Sequence, residues 1–255
     1  MNTQPTEESS LWVRRFHPRP DAAVRLVCLP HAGGSASFYF PLSRDMPDFA
    51  DVLCIQYPGR QDRRTEPLVD NVADLADRVY NALLPWVDRP LAFFGHSMGA
   101  SVAFEVARRL ERDKDVVATA LFASGRRAPS THRHETVHLL DDEGILAEVR
   151  SLDGTSSQLL GDEEVLRMVL PAMRADYRAA ETYTCAAGES VRSPMLAMVG
   201  DSDPKVTLDE AAAWERHAGG PFELKVFPGG HFYLAAQQKD VIRTMADRLR
   251  ELVRV

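Results

Sequence analysis

Cysteine is scarce in this sequence. Its 255 residues hold three, Cys28, Cys54 and Cys185. The count is odd and the spacing irregular, which offers neither a disulfide framework nor a zinc-ligand pattern. Cys28 and Cys54 sit in apolar runs and read as small core residues, as expected in a reducing cytoplasm. No apolar run approaches the roughly 18–20 residues a bilayer-crossing helix needs, so no membrane association is expected. Met1–Ser10 is polar and partly acidic. It lacks the basic and apolar regions of a secretion signal and reads as a frayed tail. A basic excess is missing too: 30 Lys and Arg face 37 Asp and Glu, a formal net charge of −7. That argues against a nucleic-acid partner. An acidic partner would have to meet a local basic patch. No internal repeat or low-complexity linker is present. What is there is ordinary for a globular domain, 45% hydrophobic and 26% charged, on a chain long enough to bury a substantial core.

Short apolar runs alternate with helical patterns. Leu26–Leu29, Val52–Tyr57, Leu91–Gly95, Val116–Ala123, Met195–Gly200 and Glu223–Phe227 read as strands. Between Asp70 and Val87, apolar residues at 72, 75, 79, 83 and 86 form a helical stripe, with Asp70 as a candidate N-cap. Met98–Leu110, Thr207–His217 and Lys239–Val253 read as further helices. Continuous apolar strands separated by helices imply an α/β fold with a mostly parallel sheet covered on both faces. The rhythm breaks between Ala128 and Ser190, where helical segments (Asp141–Leu152, Glu163–Tyr183) occur without a strand. That stretch is too long for a loop. It reads as a helical lid, about 128–190, inserted into a single domain (1–255) whose core is 11–127 and 191–255.

Gly95-His96-Ser97-Met98-Gly99 fits G-x-S-x-G and falls between a strand and a helix, where a nucleophilic serine must sit. The glycines are needed because side chains two residues either side of the turn would strike its neighbours. The helix N-terminus presents free N–H groups to a developing negative charge. By itself the motif is weak, since a tight turn with a surface serine fits as well. Context adds weight. His231 lies in a glycine-rich loop after the last strand, and Asp203 follows the strand before it. Ser, Asp, His is the α/β-hydrolase order. The aspartate would orient the imidazole that takes the serine proton. Asp201 competes for that role. Asp203 is preferred because it lies further past the strand end, and Asp201 could instead cap the turn. Pro30-His31-Ala32-Gly33-Gly34-Ser35 follows the first strand. From it one backbone N–H, that of Ala32, would join the N–H of Met98 in an oxyanion hole.

Other features admit two readings. His132, His134 and His138 could be metal ligands, or a polar approach to the lid; the second needs no further ligands. His96 reads as packing near the serine turn rather than as a base. The basic runs Arg60, Arg63, Arg64 and Arg126, Arg127 read by default as solvated charge. They could otherwise receive an acidic partner or a phosphate near the pocket mouth. Leu166, Val169, Leu170, Met173 and Tyr177 form an apolar stripe that lines an acyl channel or holds the lid closed. His31, Phe38, Arg60, Met173 and Tyr177 are candidate substrate or lid contacts.

Leu29-Pro30-His31-Ala32-Gly33-Gly34, Tyr57-Pro58-Gly59-Arg60, the Ser97 motif, Leu170–Tyr177, the Asp203 loop and Gly230-His231-Phe232-Tyr233 together resemble type II thioesterases. These are the free-standing editing hydrolases of polyketide synthase and nonribosomal peptide synthetase pathways. The resemblance runs from about Trp12 to the C-terminus. It implies an enzyme that removes aberrant or short acyl groups from the phosphopantetheine arm of acyl or peptidyl carrier-protein domains. It implies no metal and no bound cofactor, since the substrate carries the phosphopantetheine. A cytoplasmic monomer is expected. A carboxylesterase or lipase, a medium-chain fatty acyl thioesterase and a non-catalytic binding module are the alternatives. The same fold serves many reactions, and an intact Ser-Asp-His set weighs against the last.

Overall fold

The computed structural model describes residues 11–152 and 163–253, the side chains of 163–167 excepted. The tail of residues 1–10 and the Leu166 side chain lie outside the described residues. Seven strands form one sheet in the order β1-β3-β2-β4-β5-β6-β7: β1 Val13–Arg14, β2 Val24–Leu29, β3 Ala50–Ile55, β4 Leu91–His96, β5 Ala120–Ser124, β6 Met195–Gly200 and β7 Phe222–Phe227. All pair in parallel except β1, which runs antiparallel to β3. Strands β2 to β6 are buried along their whole length, so each alternate side chain enters one of two cores. Val27, Leu29, Leu53, Phe93 and Leu121 meet helices α2 (Val72–Leu83) and α3 (Met98–Lys114) on one face. Leu26, Cys28, Val52, Phe94 and Phe122 form the other core with Met245 and Leu249 of the C-terminal helix α8 (Gln238–Val253). This is the expected α/β-hydrolase arrangement, with the short helix α1 (Phe40–Asp45) following the β2 loop.

Two local expectations are corrected. The N-cap of α2 is Asn71, not Asp70: its side chain accepts the Asp74 N–H at 2.8 Å. Both residue types cap well; the phase of the buried stripe, starting at Val72, decides between them. Strand β5 starts at Ala120 rather than Val116. Helix α3 ends on Asp115 in the left-handed conformation, and the Val116 N–H bonds back to Leu110 O. Residues 116–118 therefore belong to the helix exit.

Between β5 and β6 come helices α4 (Asp142–Ser151), capped by Asp141, and α5 (Glu163–Thr182). They pack on each other through Val137, Ile145, Leu146, Val149, Leu170 and Met173. The described residues of this insertion contain no strand. Short helices α6 (Leu208–Ala212) and α7 (Tyr233–Ala236) flank β7. Thr207 and Glu210 form a reciprocal capping box on α6.

A close backbone contact joins α3 to the strand ends. A Cβ on Gly99 would lie 2.1 Å from Leu29 O, and one on Gly95 would lie 2.1 Å from Gly99 O. Backbone cannot retreat as a flexible side chain can. Gly99→Ala is therefore expected to destabilise by about 2 kcal/mol or more, a fall in Tm of roughly 4–8 °C. Gly230→Ala, whose methyl meets nothing within 4 Å, is the control and should melt with wild type in the same calorimetric series.

Candidate active site

Ser97 stands between β4 and α3 at φ 54°, ψ −121°. That conformation is strained for a residue with a Cβ. Two backbone hydrogen bonds enforce it: Ser97 N–H donates to Ser124 O at 2.8 Å, and Ala100 N–H to Ser97 O at 3.0 Å. The hydroxyl is thereby carried to the C-terminal edge of the sheet, where it lines a cavity of about 450 Å³ together with His31, Ala32 and His231.

His231 reaches the same cavity from the loop after β7. Its Nδ1 lies 3.0 Å from both Asp203 oxygens, and both side chains are buried. Asp203 Oδ1 also accepts the Lys205 N–H at 2.8 Å, which fixes the carboxylate. A carboxylate at Nδ1 places the proton of the neutral ring there and leaves Nε2 as a base. Asp201 is exposed and accepts the Gly229 N–H at 3.0 Å, so it braces the histidine loop instead. Ser97 Oγ and His231 Nε2 are not hydrogen-bonded to each other; such contacts often tighten only when substrate arrives.

The loop after β2 closes with Gly34 N–H on His31 O at 2.9 Å, and Gly33 takes φ +74°. Ala32 lines the cavity, and Met98 is the first residue of α3, whose amide has no acceptor within the helix. These are the two amides expected to meet an oxyanion. The cavity wall beyond them has an apolar part, Phe38, Val149, Leu152, Val169, Met173 and Tyr177, and a charged part, Arg126, Arg127, Glu135, Glu181 and Lys205.

His31 is held far below its ordinary value of 6.5, at about 3, first by burial and then by the charges of His231 and Arg60. Burial, then His231 and His31, likewise lower His96. His96 packs against the elbow, with its ring 5.1 Å from that of His231. Its Nδ1 meets Ser124 Oγ at 2.9 Å, which in turn meets Tyr233 Oη at 2.6 Å. One neutral imidazole, His31, therefore lines the cavity, and a second, His96, lies buried behind it. Ser124 and Tyr233 are site residues that sequence patterns do not single out, because nothing local links them to the serine.

The basic runs are corrected. Arg60 is not solvated and does not line the cavity: it is buried and paired with Asp176 of α5. Arg63 is also buried, stacked 4.2 Å over Trp12 and paired with Glu66; Arg64 is exposed. Arg127 is buried on Glu135. Arg126 is half-buried on the cavity wall and donates to Ser101 and to Ala180 O. His132 and His134 are exposed, while His138 turns onto Glu181. Asp176, noted in the sequence only as part of Leu170–Tyr177, has a role there that no local pattern assigns, and the sequence does not single out Glu135, Glu181 and Lys205 on the cavity wall. The local signal at Asp176 is only an acid set between Met173 and Tyr177 on one helix face.

This geometry makes two outcomes measurable. With a p-nitrophenyl ester as reporter, Asp203→Asn should lower kcat by about 10⁴-fold through the wrong imidazole tautomer. Asp201→Asn should stay within about threefold of wild type. The second concerns acid. The folded state holds His31 neutral, whereas the unfolded chain protonates it below 6.5, so the unfolded state binds more protons. Stability from this residue is complete above that value and is lost as pH falls toward about 3. In thermal melts from pH 7 to pH 5, wild type should lose more Tm than His31→Phe; an equal loss would contradict the assignment.

Residues 24–249 match the family model of the thioesterase domain. The chain is 52% identical to thioesterase PikA5 of Streptomyces venezuelae over 243 residues, 95% of this chain and 86% of that one. Among solved structures it superposes on the type II thioesterase BorB from the borrelidin biosynthetic cluster with a TM-score of 0.89 and 48% identity, covering 98% of this chain and 100% of BorB. It superposes on YbtT, a type II thioesterase from the yersiniabactin NRPS/PKS pathway, with a TM-score of 0.84 and 29% identity, covering 95% and 99%. The chain belongs to the thioesterase family.

Proposed function

We propose that this protein is a stand-alone editing thioesterase that hydrolyses short or aberrant acyl groups from the phosphopantetheine arm of carrier-protein domains in a polyketide or nonribosomal peptide pathway. The observation that carries the reading is one cavity that takes Ser97, the His231–Asp203 pair and an apolar wall from the inserted helices. Its size suits a modest acyl chain, and the kinship with BorB and YbtT supplies the pathway class.

In this reading α4 and α5 form a lid, under which the arm brings its thioester carbonyl to Ser97. His231 Nε2 takes the hydroxyl proton as Oγ bonds to the carbonyl carbon. The Ala32 and Met98 amides hold the resulting oxyanion. The C–S bond breaks, and the imidazolium returns its proton to the departing thiol. A water molecule then attacks the acyl-serine, again giving its proton to His231. The acid leaves, and Ser97 recovers its hydrogen. Asp203 keeps the imidazole oriented and stabilises its charged form. No metal or bound cofactor enters these steps; the phosphopantetheine arrives with the substrate. The reading includes a monomer working in the cytoplasm. No helix among the described residues is long and apolar enough to cross a membrane.

The test is single-turnover hydrolysis of a short acyl group on a phosphopantetheinylated carrier protein, with the matching acyl-pantetheine as the partner-free control. Wild type should clear the carrier faster than free pantetheine, and Ser97→Ala should lose at least about 10⁴-fold in rate. A wild type that ignores the carrier and prefers simple esters is a general carboxylesterase, and the reading fails.

A further inference from the structure

The triad makes no use of two segments, Tyr57-Pro58-Gly59-Arg60 after β3 and Leu170–Tyr177 in α5. The fold joins them. Arg60 Nη1 and Nη2 donate to Asp176 Oδ2 and Oδ1 at 2.7 and 3.0 Å, with the two side chains 7% and 1% exposed. The pair does not end there. Asp176 Oδ2 accepts the Gly33 N–H at 2.7 Å, and Arg60 Nη1 donates to Gly34 O at 3.1 Å. Arg60 is itself fixed by Nε on Pro58 O at 3.2 Å and by the Tyr57 ring, 5.3 Å away. Two consecutive glycines of the oxyanion loop are thus pinned from outside the loop, one through its N–H and one through its carbonyl. Glycine has the widest backbone freedom of any residue, so a Gly-Gly loop needs such pins to hold a neighbouring amide in place. The Gly33 N–H is spent on Asp176, and the adjacent Ala32 N–H remains for the oxyanion.

We propose that the Arg60–Asp176 pair is the positioning device of the oxyanion hole, and that it couples the hole to the seating of α5. The helix that supplies Asp176 also supplies Met173, whose side chain packs against Gly33, and Tyr177 on the acyl wall. Moving α5 outward to admit an acyl arm would separate Asp176 from Gly33. The hole is then complete only when the helix is back in place. Stability alone gives little reason for the pair, because a buried ion pair is often no more stabilising than apolar residues of similar volume. The inference rests on the thioester-hydrolase reading.

The experiment uses an acyl-N-acetylcysteamine thioester, which needs no carrier docking, and the trifluoromethyl ketone of the same acyl chain, which forms a tetrahedral oxyanion adduct on serine. Arg60→Lys, Asp176→Asn and the double variant Arg60→Met/Asp176→Leu are compared with wild type for kcat, KM, ketone affinity and Tm. The double variant removes the pins without leaving a buried charge unpaired, so its Tm should return close to wild type. Its kcat should nevertheless stay down by about tenfold to a hundredfold, with KM within about threefold and ketone affinity falling in step with kcat. Asp176→Asn, which keeps an acceptor for Gly33, and Arg60→Lys should fall between. Recovery of both Tm and kcat in the double variant would show a merely structural pair. A rise in KM at unchanged kcat would make it part of the substrate wall. Either result overturns the proposal. Wild-type thioester turnover in the same series reports separately on the functional reading.

Discussion

Everything at the catalytic edge depends on how closely α3 approaches the ends of β2 and β4. Gly99 lets the first turn of the helix rest on Leu29 and Pro30 carbonyls, and Gly95 lets β4 turn under Gly99. With a Cβ at either place the helix must lift. The consequences of that contact are all functional. It holds Ser97 in an unfavourable conformation, and it brings the free amides at the start of α3 beside the loop that follows β2. It also lets the strand ends supply the remaining parts from Gly125, Asp203 and His231. A site assembled at the carboxyl ends of parallel strands needs this approach to be tight, because amides stabilise an oxyanion only at hydrogen-bond range.

The second constraint acts from the opposite side. The cavity wall belongs largely to an insertion whose internal cluster, among the described residues, holds six buried apolar residues, against the two large cores on the sheet. Such an element needs further attachments to keep a fixed position. Ala179 and Ala180 of α5 join the core on the α3 side of the sheet, and polar bonds add to them. Arg174 donates to His138 O and pairs with Asp142, Glu181 accepts the Val137 and His138 amides, and Lys205 pairs with Glu135 and Glu148. The Arg60–Asp176 pair differs because it touches the oxyanion loop directly.

How much of this was legible in the sequence follows from the range over which each signal acts. The strands β2 to β6 are runs of buried side chains, and the glycines that flank Ser97 and precede His231 are local requirements of tight turns. The order Ser97, Asp203, His231 can therefore be read from one chain without contacts. The choice of Asp203 over Asp201 needed only the direction of a loop leaving β6. The fate of Arg60 was not legible, because its partner lies 116 residues away. A basic run on a loop looks the same whether its charges meet water or a buried carboxylate. Strand β1 escaped for a related reason: two residues, Val13 and Arg14, become a strand only by pairing with Ile55 and Cys54. The exchange of Asp70 for Asn71 as cap was a one-residue question of phase. Displaced from the cap, Asp70 pairs with Arg178 of α5, a contact no local pattern encodes.

The two imidazoles packed beside the triad act through their charge state. His31 and His96 are kept neutral by burial, so the imidazole that a carboxylate readies beside the serine is that of His231. Attack by Ser97 creates a pair of opposite charges at once, the imidazolium beside Asp203 and the oxyanion beside the Ala32 and Met98 amides. A cation at His31 would sit within the same cavity and compete for the oxyanion while opposing the charging of His231. Neutral rings avoid that opposition. The two neutral rings thus favour separation of charge along one line, from serine oxygen to imidazole, and leave the pinned loop to receive the negative end.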